Sequence, residues 1–240
     1  MSVPLPRYDY TRAGCGGVEL ALARARVVLR ASGAIWLPDE AALVVADLHL
    51  EKGSAYARRG QLLPPYDTRD ALGRLAAEVA ALSPRTVVFL GDTFHDDGGE
   101  ARLSKRDAEA LETLAANRIL IWVMGNHDRD GPKALPGRAV ATATACGLTL
   151  THEPADGSAP AEVAGHLHPC ARVRGKAASV RRRCFVTDGE RLILPAFGAY
   201  AGGLNVLDRA FAGLFRRPPL IAALGQGRVH PVGWASLRPD

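Results

Sequence analysis

Five short polar clusters follow apolar runs in this sequence, and their side chains are of the types that bind divalent metal ions. The clusters are Asp47-x-His49, Gly91-Asp92, Gly125-Asn126-His127-Asp128, Thr151-His152 and Gly165-His166-x-His168. Five of the seven histidines fall within them. An isolated histidine is more often a core or surface residue. The occurrence of five histidines in clusters that all follow apolar runs favours a metal site instead. Carboxylate, amide and imidazole groups without cysteine suit hard ions such as Mn²⁺.

The runs before these clusters have the length and composition of buried strands. They are Ala42 to Ala46, Val87 to Leu90, Ile119 to Met124, Leu148 to Leu150 and Val163 to Ala164. Open α/β sheets place their ligand sites at strand ends. In extended chain Asp47 and His49 point to the same side, as do His166 and His168, so each pair can reach one site.

The first half of the chain alternates strands with helices. Apolar periodicity predicts helices over Tyr66 to Leu82 and Leu103 to Ala116, and Ser83-Pro84 ends the first of them. A strand–helix–strand–helix–strand order through Asn126 implies parallel strands with crossover helices. Three shorter strands are predicted before them, at Val18 to Leu22, Val27 to Leu29 and Ala34 to Leu37.

After Val140 the apolar segments are shorter and are separated by glycine, proline and Asp-Gly signals. The clearest is a hairpin from Cys184 to Thr187 and Arg191 to Leu194, turning through Asp188-Gly189. This half therefore reads as antiparallel or mixed sheet. We predict an α/β fold of two mostly mixed β-sheets packed face to face with flanking helices, forming one domain over residues 1–240.

Length and composition fit a protein with one large core, since 48% of the 240 residues are hydrophobic. We expect a cytoplasmic protein without membrane association, because no apolar run is long enough to span a bilayer and Met1 to Gly17 lacks a signal pattern. The four cysteines are widely separated, so we expect free and mostly buried thiols rather than disulfides. These are Cys15, Cys146, Cys170 and Cys184.

The net charge of +5 favours anionic partners. Part of it is concentrated after the last histidine cluster, in Arg172, Arg174, Lys176, Arg181, Arg182 and Arg183. Two interpretations stay open for this basic segment: a solvated arginine-rich surface, or contact with a phosphate backbone. We assign Arg172 and Arg174 as candidate substrate-binding residues.

The metal-binding side chains divide into two groups and a shared carboxylate. Asp47, His49 and His168 would bind one ion, Asn126, His152 and His166 the other, and Asp92 would bridge both. Two ions about 3.5 to 4 Å apart can share a hydroxide, which would be the nucleophile. His127 is the candidate general acid, and Asp128 would hold its imidazole and raise its pKa.

In order and spacing, the five clusters resemble the signature of calcineurin-like metallophosphoesterases, from about Val44 to His168. The resemblance implies a four-layer sandwich that binds two divalent metals. Longer strings are similar to bacterial DNA-ligase-associated metallophosphoesterases, among them Ala46 to Gly53, Gly91 to Asp96, Gly165 to Pro169, Leu194 to Tyr200 and Gly202 to Asn205. That similarity implies a manganese-dependent phosphodiesterase acting as a DNA endonuclease in repair, on single-stranded DNA, in functional association with a DNA ligase and a helicase.

One departure from the wider family bears on substrate. Protein phosphatases of the family carry an arginine after the second cluster that grips a terminal phosphate, but Phe94-His95-Asp96-Asp97-Gly98 stands there in this chain. Its loss favours diesters over phosphoproteins. His95 is a candidate substrate-binding residue, with a structural bond to Asp92 or Asp96 as the alternative.

Two aromatic residues, one further histidine and three other functions have alternative interpretations. Phe197 and Tyr200 are core residues or, for Tyr200, a stacking surface for a base, and His230 is structural or exposed. The rival activities are a phosphomonoesterase and a small-molecule diesterase acting on cyclic nucleotides. A catalytically inactive scaffold is disfavoured because every ligand position is filled. The oligomeric state is left open.

Overall fold

The computed structural model describes residues 8–175 and 178–240, which form two β-sheets and four α-helices. Lys176 of the basic segment lies outside the described residues. Up to residue 140 the elements are β1 (Tyr10–Arg12), β2 (Val18–Leu22), β3 (Ala25–Leu29), β4 (Ile35–Leu37), β5 (Ala42–Ala46), α1 (Lys52–Ala57), α2 (Asp67–Leu82), β6 (Thr86–Leu90), α3 (Gly99–Arg102), α4 (Lys105–Ala115), β7 (Ile119–Val123) and β8 (Arg138–Val140).

The rest of the chain is strands and connections. They are β9 (Ala143–Ala145), β10 (Leu148–Thr151), β11 (Glu162–Ala164), β12 (Cys170–Arg174), β13 (Ser179–Thr187), β14 (Arg191–Ile193), β15 (Leu220–Gly225), β16 (Arg228–Val232) and β17 (Leu237–Arg238). Every strand and helix predicted above is confirmed to within a few residues.

The first sheet follows the order of the chain, from β1 to β8. Strands β1 to β5 are antiparallel neighbours, whereas β5, β6, β7 and β8 are parallel. Register aligns Ala46 with Leu90 and Leu90 with Val123. The carboxyl ends of β5, β6 and β7 therefore meet at one edge of the sheet.

The second sheet runs β16-β15-β13-β14-β11-β10-β9, with β12 attached to β13 and β17 to β12. It is mixed, since β10 and β14 are both parallel to β11. The predicted hairpin is present, pairing Val186 with Ile193 and Thr187 with Leu192. Register also aligns Thr151 with Ala164, so β10 and β11 end together.

The two sheets pack face to face, and their inner faces form one apolar cluster. It joins Val44, Leu90 and Val123 of the first sheet to Leu150, Val163 and Phe185 of the second. A second cluster packs α2 and α4 on the outer face of the first sheet. Local signals set the ends of these helices: the Ser104 side chain caps α4, and α2 stops at Ser83, where φ is 47°.

Helices flank only one side of the sandwich. On the outer face of the second sheet, a third apolar cluster is covered by β17 and irregular chain that includes Val206, Phe215 and Trp234. The expected helices are absent from this face among the described residues, because the segment that covers it contains repeated glycines and the Pro218-Pro219 pair, which do not sustain an α-helix.

All four cysteines are free, as predicted. Cys170 and Cys184 are buried, but Cys15 is exposed and Cys146 is half-buried, so the expectation that most are buried is wrong for these two. None of the helices in the described ranges has the length and apolarity needed to cross a membrane.

Candidate metal centre

Side chains from both sheets converge where β5, β6, β7, β10 and β11 end. Asp47 directly follows β5, and Asp92 and Asn126 lie just beyond β6 and β7. His49 also follows β5, and the second sheet contributes three more histidines, His152 after β10 and His166 and His168 after β11. The structure thus brings together every residue predicted as a metal ligand. Their assignment as ligands is a proposal that rests on this geometry.

The backbone is left-handed at five of the seven candidate ligand positions. The φ angle is 53° at Asp47, 46° at His49, 45° at Asp92, 67° at His166 and 45° at His168. We expected Asp47-x-His49 and His166-x-His168 to be extended, so this local prediction is wrong. Non-glycine residues adopt this conformation at a cost, and such residues concentrate at functional sites.

Glycine before a candidate ligand permits close approach of two clusters. A Cβ at Gly91, where φ is 73°, would overlap the imidazole of His152, and a Cβ at Gly125 would overlap the Asp92 carboxylate. A side chain at Gly91 would push the two sheets apart, and one at Gly125 would separate the loops after β6 and β7. The Gly-Asp and Gly-Asn-His-Asp patterns are therefore packing requirements as well as chemical ones.

The first group of candidate ligands surrounds the His168 imidazole. Its Nε2 lies 3.3 Å from Oδ1 of Asp47 and 3.2 Å from Nε2 of His49. The ligand atoms of Asp47, His49 and His168 are all within 4.8 Å of one another. Such a cluster of one carboxylate and two imidazoles is a suitable donor set for a divalent ion.

The second group surrounds the Asn126 side chain. Its Oδ1 lies 2.9 Å from Nε2 of His152 and 2.9 Å from Nδ1 of His166, and these two nitrogens are 3.2 Å apart. Nδ1 of His152 lies 3.3 Å from the Leu90 carbonyl, which leaves Nε2 facing the centre. A backbone bond of this kind fixes the tautomer of a metal-binding histidine.

Asp92 lies between the two groups. Its Oδ2 is 3.5 Å from Nε2 of His152 and 3.9 Å from Nε2 of His49. Its Oδ1 accepts the backbone N–H of His127 at 2.9 Å, so the carboxylate is held in place. This position is the one that a bridging ligand requires.

The composition and burial of this cluster suit two bound cations. Asp47 and Asp92 are buried, and the Asp47 carboxylate accepts the backbone N–H of His166 and lies beside imidazoles. Burial and neighbouring positive groups lower the pKa of His49 to about 2, so this imidazole is neutral and can bind metal. Two pairs of imidazole nitrogens face each other at 3.2 Å. Buried carboxylates are generally paired with a positive charge, and a bound divalent ion would supply it at this centre.

His127 lies at the exposed edge of the centre. Its Nε2 is 4.0 Å from Oδ2 of Asp92, and its side chain is 40% exposed. The other nitrogen, Nδ1, lies 2.9 Å from the carbonyl oxygen of His95. Because that carbonyl can only accept, Nδ1 carries the proton of this bond and Nε2 points toward the space above the ligands.

Asp128 does not make the contact expected of it. Its carboxylate accepts the backbone N–H groups of Thr93 and Phe94 at 2.8 and 3.2 Å and that of Gly125 at 3.2 Å. Burial raises its pKa to about 6. Asp128 therefore joins the loops after β6 and β7, and the His95 carbonyl holds the His127 imidazole in its place.

His95 is part of the same cluster of rings. Its ring centroid lies 5.5 Å from that of His127, 5.8 Å from that of His49 and 5.7 Å from that of Tyr56. Within the described residues its buried Nδ1 has no hydrogen-bond partner, so the alternative of a bond to Asp92 or Asp96 does not hold for this nitrogen. Burial and the nearby Lys52 lower the pKa of His95 to about 4.

The predicted substrate-binding arginines are not in this cluster. Arg172 and Arg174 are exposed on β12, where Arg172 pairs with Arg181 of β13. Arg172 donates to the Pro239 carbonyl, and Arg181 pairs with Asp240. Part of the basic segment thus contacts the last residues of the chain, and its role in substrate binding stays a proposal.

Two arginines that were not predicted as site residues support the centre instead, Arg74 and Arg183 of the basic segment. Arg183 donates to the Ala196 and Phe197 carbonyls at 2.6 and 3.3 Å, and Arg74 donates to the Phe197 carbonyl at 2.6 Å. The same loop returns two bonds to the metal centre, from Phe197 N to the Ala46 carbonyl at 2.8 Å and from Gly198 N to the Asp47 carbonyl at 3.1 Å. The chain around Asp47 is therefore fixed from outside.

The predictions for Phe197, Tyr200 and His230 have different outcomes. Phe197 is fully buried, which confirms its core role. Tyr200 is only half-buried, so a core role is wrong for it, and its hydroxyl donates to the Pro64 carbonyl at 2.9 Å. His230 is structural, with Nε2 3.0 Å from the Gly225 carbonyl across the β15–β16 hairpin.

Comparisons with known proteins agree with this site. A family model described as calcineurin-like phosphoesterase matches residues 42–174. The crystal structure of Pseudomonas putida nuclease MPE is similar over 93% of this chain and 100% of that chain, with 29% identity and a TM-score of 0.71.

A Mycobacterium tuberculosis cAMP/cGMP dual specificity phosphodiesterase is 35% identical over 95 residues, which are 38% of this chain. This chain matches only 28% of the length of that relative. The family match covers more than half of the sequence and includes all the clustered side chains. The protein is therefore a metal-dependent phosphoesterase and belongs to the calcineurin-like phosphoesterase family.

Proposed function

We propose that this protein is a binuclear-metal phosphodiesterase that cleaves DNA, with two Mn²⁺ ions as cofactors. The observation that carries the proposal is the position of Asp92, whose Oδ2 lies 3.5 Å from His152 and 3.9 Å from His49, between the two groups of candidate ligands. Asp47, His49 and His168 would hold one ion, and Asn126, His152 and His166 the other. When bound, a pair of divalent ions supplies an activated water as nucleophile and withdraws charge from the phosphoryl oxygens.

His127 protonates the departing oxygen in this proposal. Its Nδ1 is held by the His95 carbonyl, so Nε2 is the atom that delivers the proton. The 40% exposure of the side chain leaves room for a leaving group beside it.

The residues after Asp92 support a diester substrate. Phe94 is buried, His95 lines the centre, and Asp96 pairs with Arg102. No arginine follows Asp92 at the place where the phosphatases of the family bind a terminal dianionic phosphate. The likeness to a nuclease over nearly the whole chain supports a nucleic acid, and the net charge of +5 supports an anionic polymer.

The finer proposals rest on the resemblance to the DNA-ligase-associated metallophosphoesterases. They are endonuclease action on single-stranded DNA, a repair role beside a DNA ligase and a helicase, and a cytoplasmic location. The second candidate function is hydrolysis of a cyclic nucleotide or another small phosphate ester. The similarity of 95 residues to a cyclic-nucleotide phosphodiesterase is the observation in its favour.

Closed circular single-stranded DNA distinguishes these functions. It is incubated with Mn²⁺ and the wild-type protein, the His127→Ala variant, or wild type with EDTA, and cyclic AMP is assayed in parallel. We expect linear and fragmented DNA with wild type and Mn²⁺ only. Intact circles together with hydrolysis of cyclic AMP would overturn the nuclease proposal in favour of the small-molecule one.

A further inference from the structure

A recess lined by arginines lies next to the metal centre. Its volume is about 330 Å³, and its walls include Arg58, Arg59, Arg102 and Asp96. Arg58 and Arg59 follow α1, and Arg102 is the last residue of α3. The recess is therefore built by two short helices that the loops after β5 and β6 place side by side.

The charge of this recess is not neutralised by its own carboxylate. Arg102 uses its guanidinium internally, because Nη2 lies 2.8 Å from Oδ1 of Asp96 and Nε donates to the Ser54 hydroxyl at 2.9 Å. Across residues 8–175 and 178–240, no carboxylate oxygen lies within 4 Å of the charged nitrogens of Arg58 or Arg59. Both side chains are exposed. The recess thus presents two unpaired guanidinium groups.

The recess and the His127 side of the centre are linked through His95. Asp96 in its wall directly follows His95, whose ring lies 5.5 Å from that of His127 and 5.7 Å from that of Tyr56 in α1. Lys52, the first residue of α1, adds a third cation on this side, with Nζ 5.8 Å from the Tyr56 ring. These cations therefore lie on the same side of the centre as His95 and Tyr56.

We propose that Arg58 and Arg59 bind a second phosphate of the substrate strand, the neighbour of the scissile phosphodiester on the leaving-group side. This inference rests on the proposed function, because only a nucleic-acid substrate has that second phosphate. Guanidinium groups bind phosphate oxygens through paired, charge-assisted hydrogen bonds. Such a subsite would make this enzyme prefer nucleic-acid strands, which have several phosphates, over molecules with a single phosphodiester. The preference would come from contacts made away from the metals.

The test compares the double variant Arg58→Gln/Arg59→Gln with a charge-matched control, Arg24→Gln/Arg26→Gln. The control residues lie at the β2–β3 turn. Because β2, β3, β4 and β5 are successively antiparallel, that turn is at the end of the sheet opposite the metal centre. The substrates are bis(nitrophenyl) phosphate, a thymidine dinucleotide with one phosphate and a thymidine trinucleotide with two, each with Mn²⁺.

For wild type and control, we expect a higher kcat/KM on the trinucleotide than on the dinucleotide. The Arg58→Gln/Arg59→Gln variant should lose that gain, with kcat/KM on the trinucleotide reduced at least tenfold, or about 1.4 kcal/mol, mainly through KM. Its activity on bis(nitrophenyl) phosphate should stay within about twofold of wild type, since a charged hydrogen bond lost at a remote subsite leaves the reacting centre intact.

Equal losses on all three substrates would overturn the proposal, because they would indicate damage to the centre itself. An unchanged preference for the trinucleotide would also overturn it, while leaving the proposed nuclease function in place. Failure of wild type to cleave either oligonucleotide, with bis(nitrophenyl) phosphate still hydrolysed, would instead refute the proposed function and this inference together.

Discussion

Replacing Gly198 by alanine should weaken both the fold and the metal centre, although Gly198 is not a candidate ligand. Its amide donates to the Asp47 carbonyl at 3.1 Å. An added Cβ would overlap the Leu48 carbonyl oxygen, and it would lie 2.9 Å from the Leu48 carbonyl carbon and 3.2 Å from the Asp47 oxygen. All these contacts are to backbone, so no flexible side chain can move away.

The magnitude follows from these distances. Carbon atoms pack best at about 3.5 to 4.0 Å, so the loop must retreat by roughly 0.5 to 1 Å. The 3.1 Å hydrogen bond lies near the long end of the N–H···O range and would be lost by that movement. Overpacking costs about 1 to 3 kcal/mol and the lost bond about 1 kcal/mol. We expect the free energy of unfolding to fall by about 2 to 4 kcal/mol.

The assay is urea unfolding of the metal-free protein, followed by Mn²⁺ titration of the folded variant. Gly202→Ala is the matched control, because its Cβ would meet nothing within 4 Å. Neither glycine has a left-handed φ, so backbone strain does not enter the comparison. Equal stability and equal Mn²⁺ affinity of the two variants would refute the argument that the 196–198 loop supports Asp47.

Three further outcomes are expected. Asp92→Ala should abolish hydrolysis of all substrates because it removes the carboxylate whose Oδ2 faces both His49 and His152, and wild-type turnover in this variant would contradict bridging. His127→Ala should keep its metal content but lose turnover on DNA by about 100-fold or more, with a smaller loss on bis(nitrophenyl) phosphate, whose leaving oxygen scarcely needs a proton; equal losses would count against the general acid. Mn²⁺ at 100 times its Kd should stabilise the protein by about 2.7 kcal/mol, seen as a higher Tm than in EDTA, and an unchanged Tm would indicate that no ion binds the folded state.

The positions of the candidate ligands could be predicted because they depend on periodicity. Apolar runs defined β5, β6, β7, β10 and β11, and parallel strands end at one edge, so the side chains after them had to meet. The face-to-face sheets followed from the change of pattern after Val140. The apolar runs and the change of pattern extend over several residues, so an error of one or two positions in a strand boundary does not alter the predicted fold.

Contacts made by single residues across long sequence separations could not be predicted. Asp128 lies next to His127 in sequence, yet it bonds to Thr93 and Phe94 through backbone groups that carry no sequence signal. Arg183 belongs to a run of arginines. It differs from Arg182 because the 196–198 loop passes beside it and accepts its hydrogen bond, whereas Arg182 donates to the neighbouring Arg181 carbonyl. The layer that covers the second sheet was expected from the resemblance, but its lack of α-helices in the described residues could not be read from a chain without a regular pattern.

The left-handed backbone of the candidate ligands imposes a second selection on the same positions. Among non-glycine residues, aspartate, asparagine and histidine tolerate this conformation best. Two independent requirements, for metal-binding atoms and for a left-handed main chain, therefore act on the same five residues: Asp47, His49, Asp92, His166 and His168. A β-branched replacement at any of them would fail both at once. The backbone conformation of these loops thus limits the residue types that fit at the candidate ligand positions, independently of metal binding. A redesign of the ligands would have to change the loop conformation first.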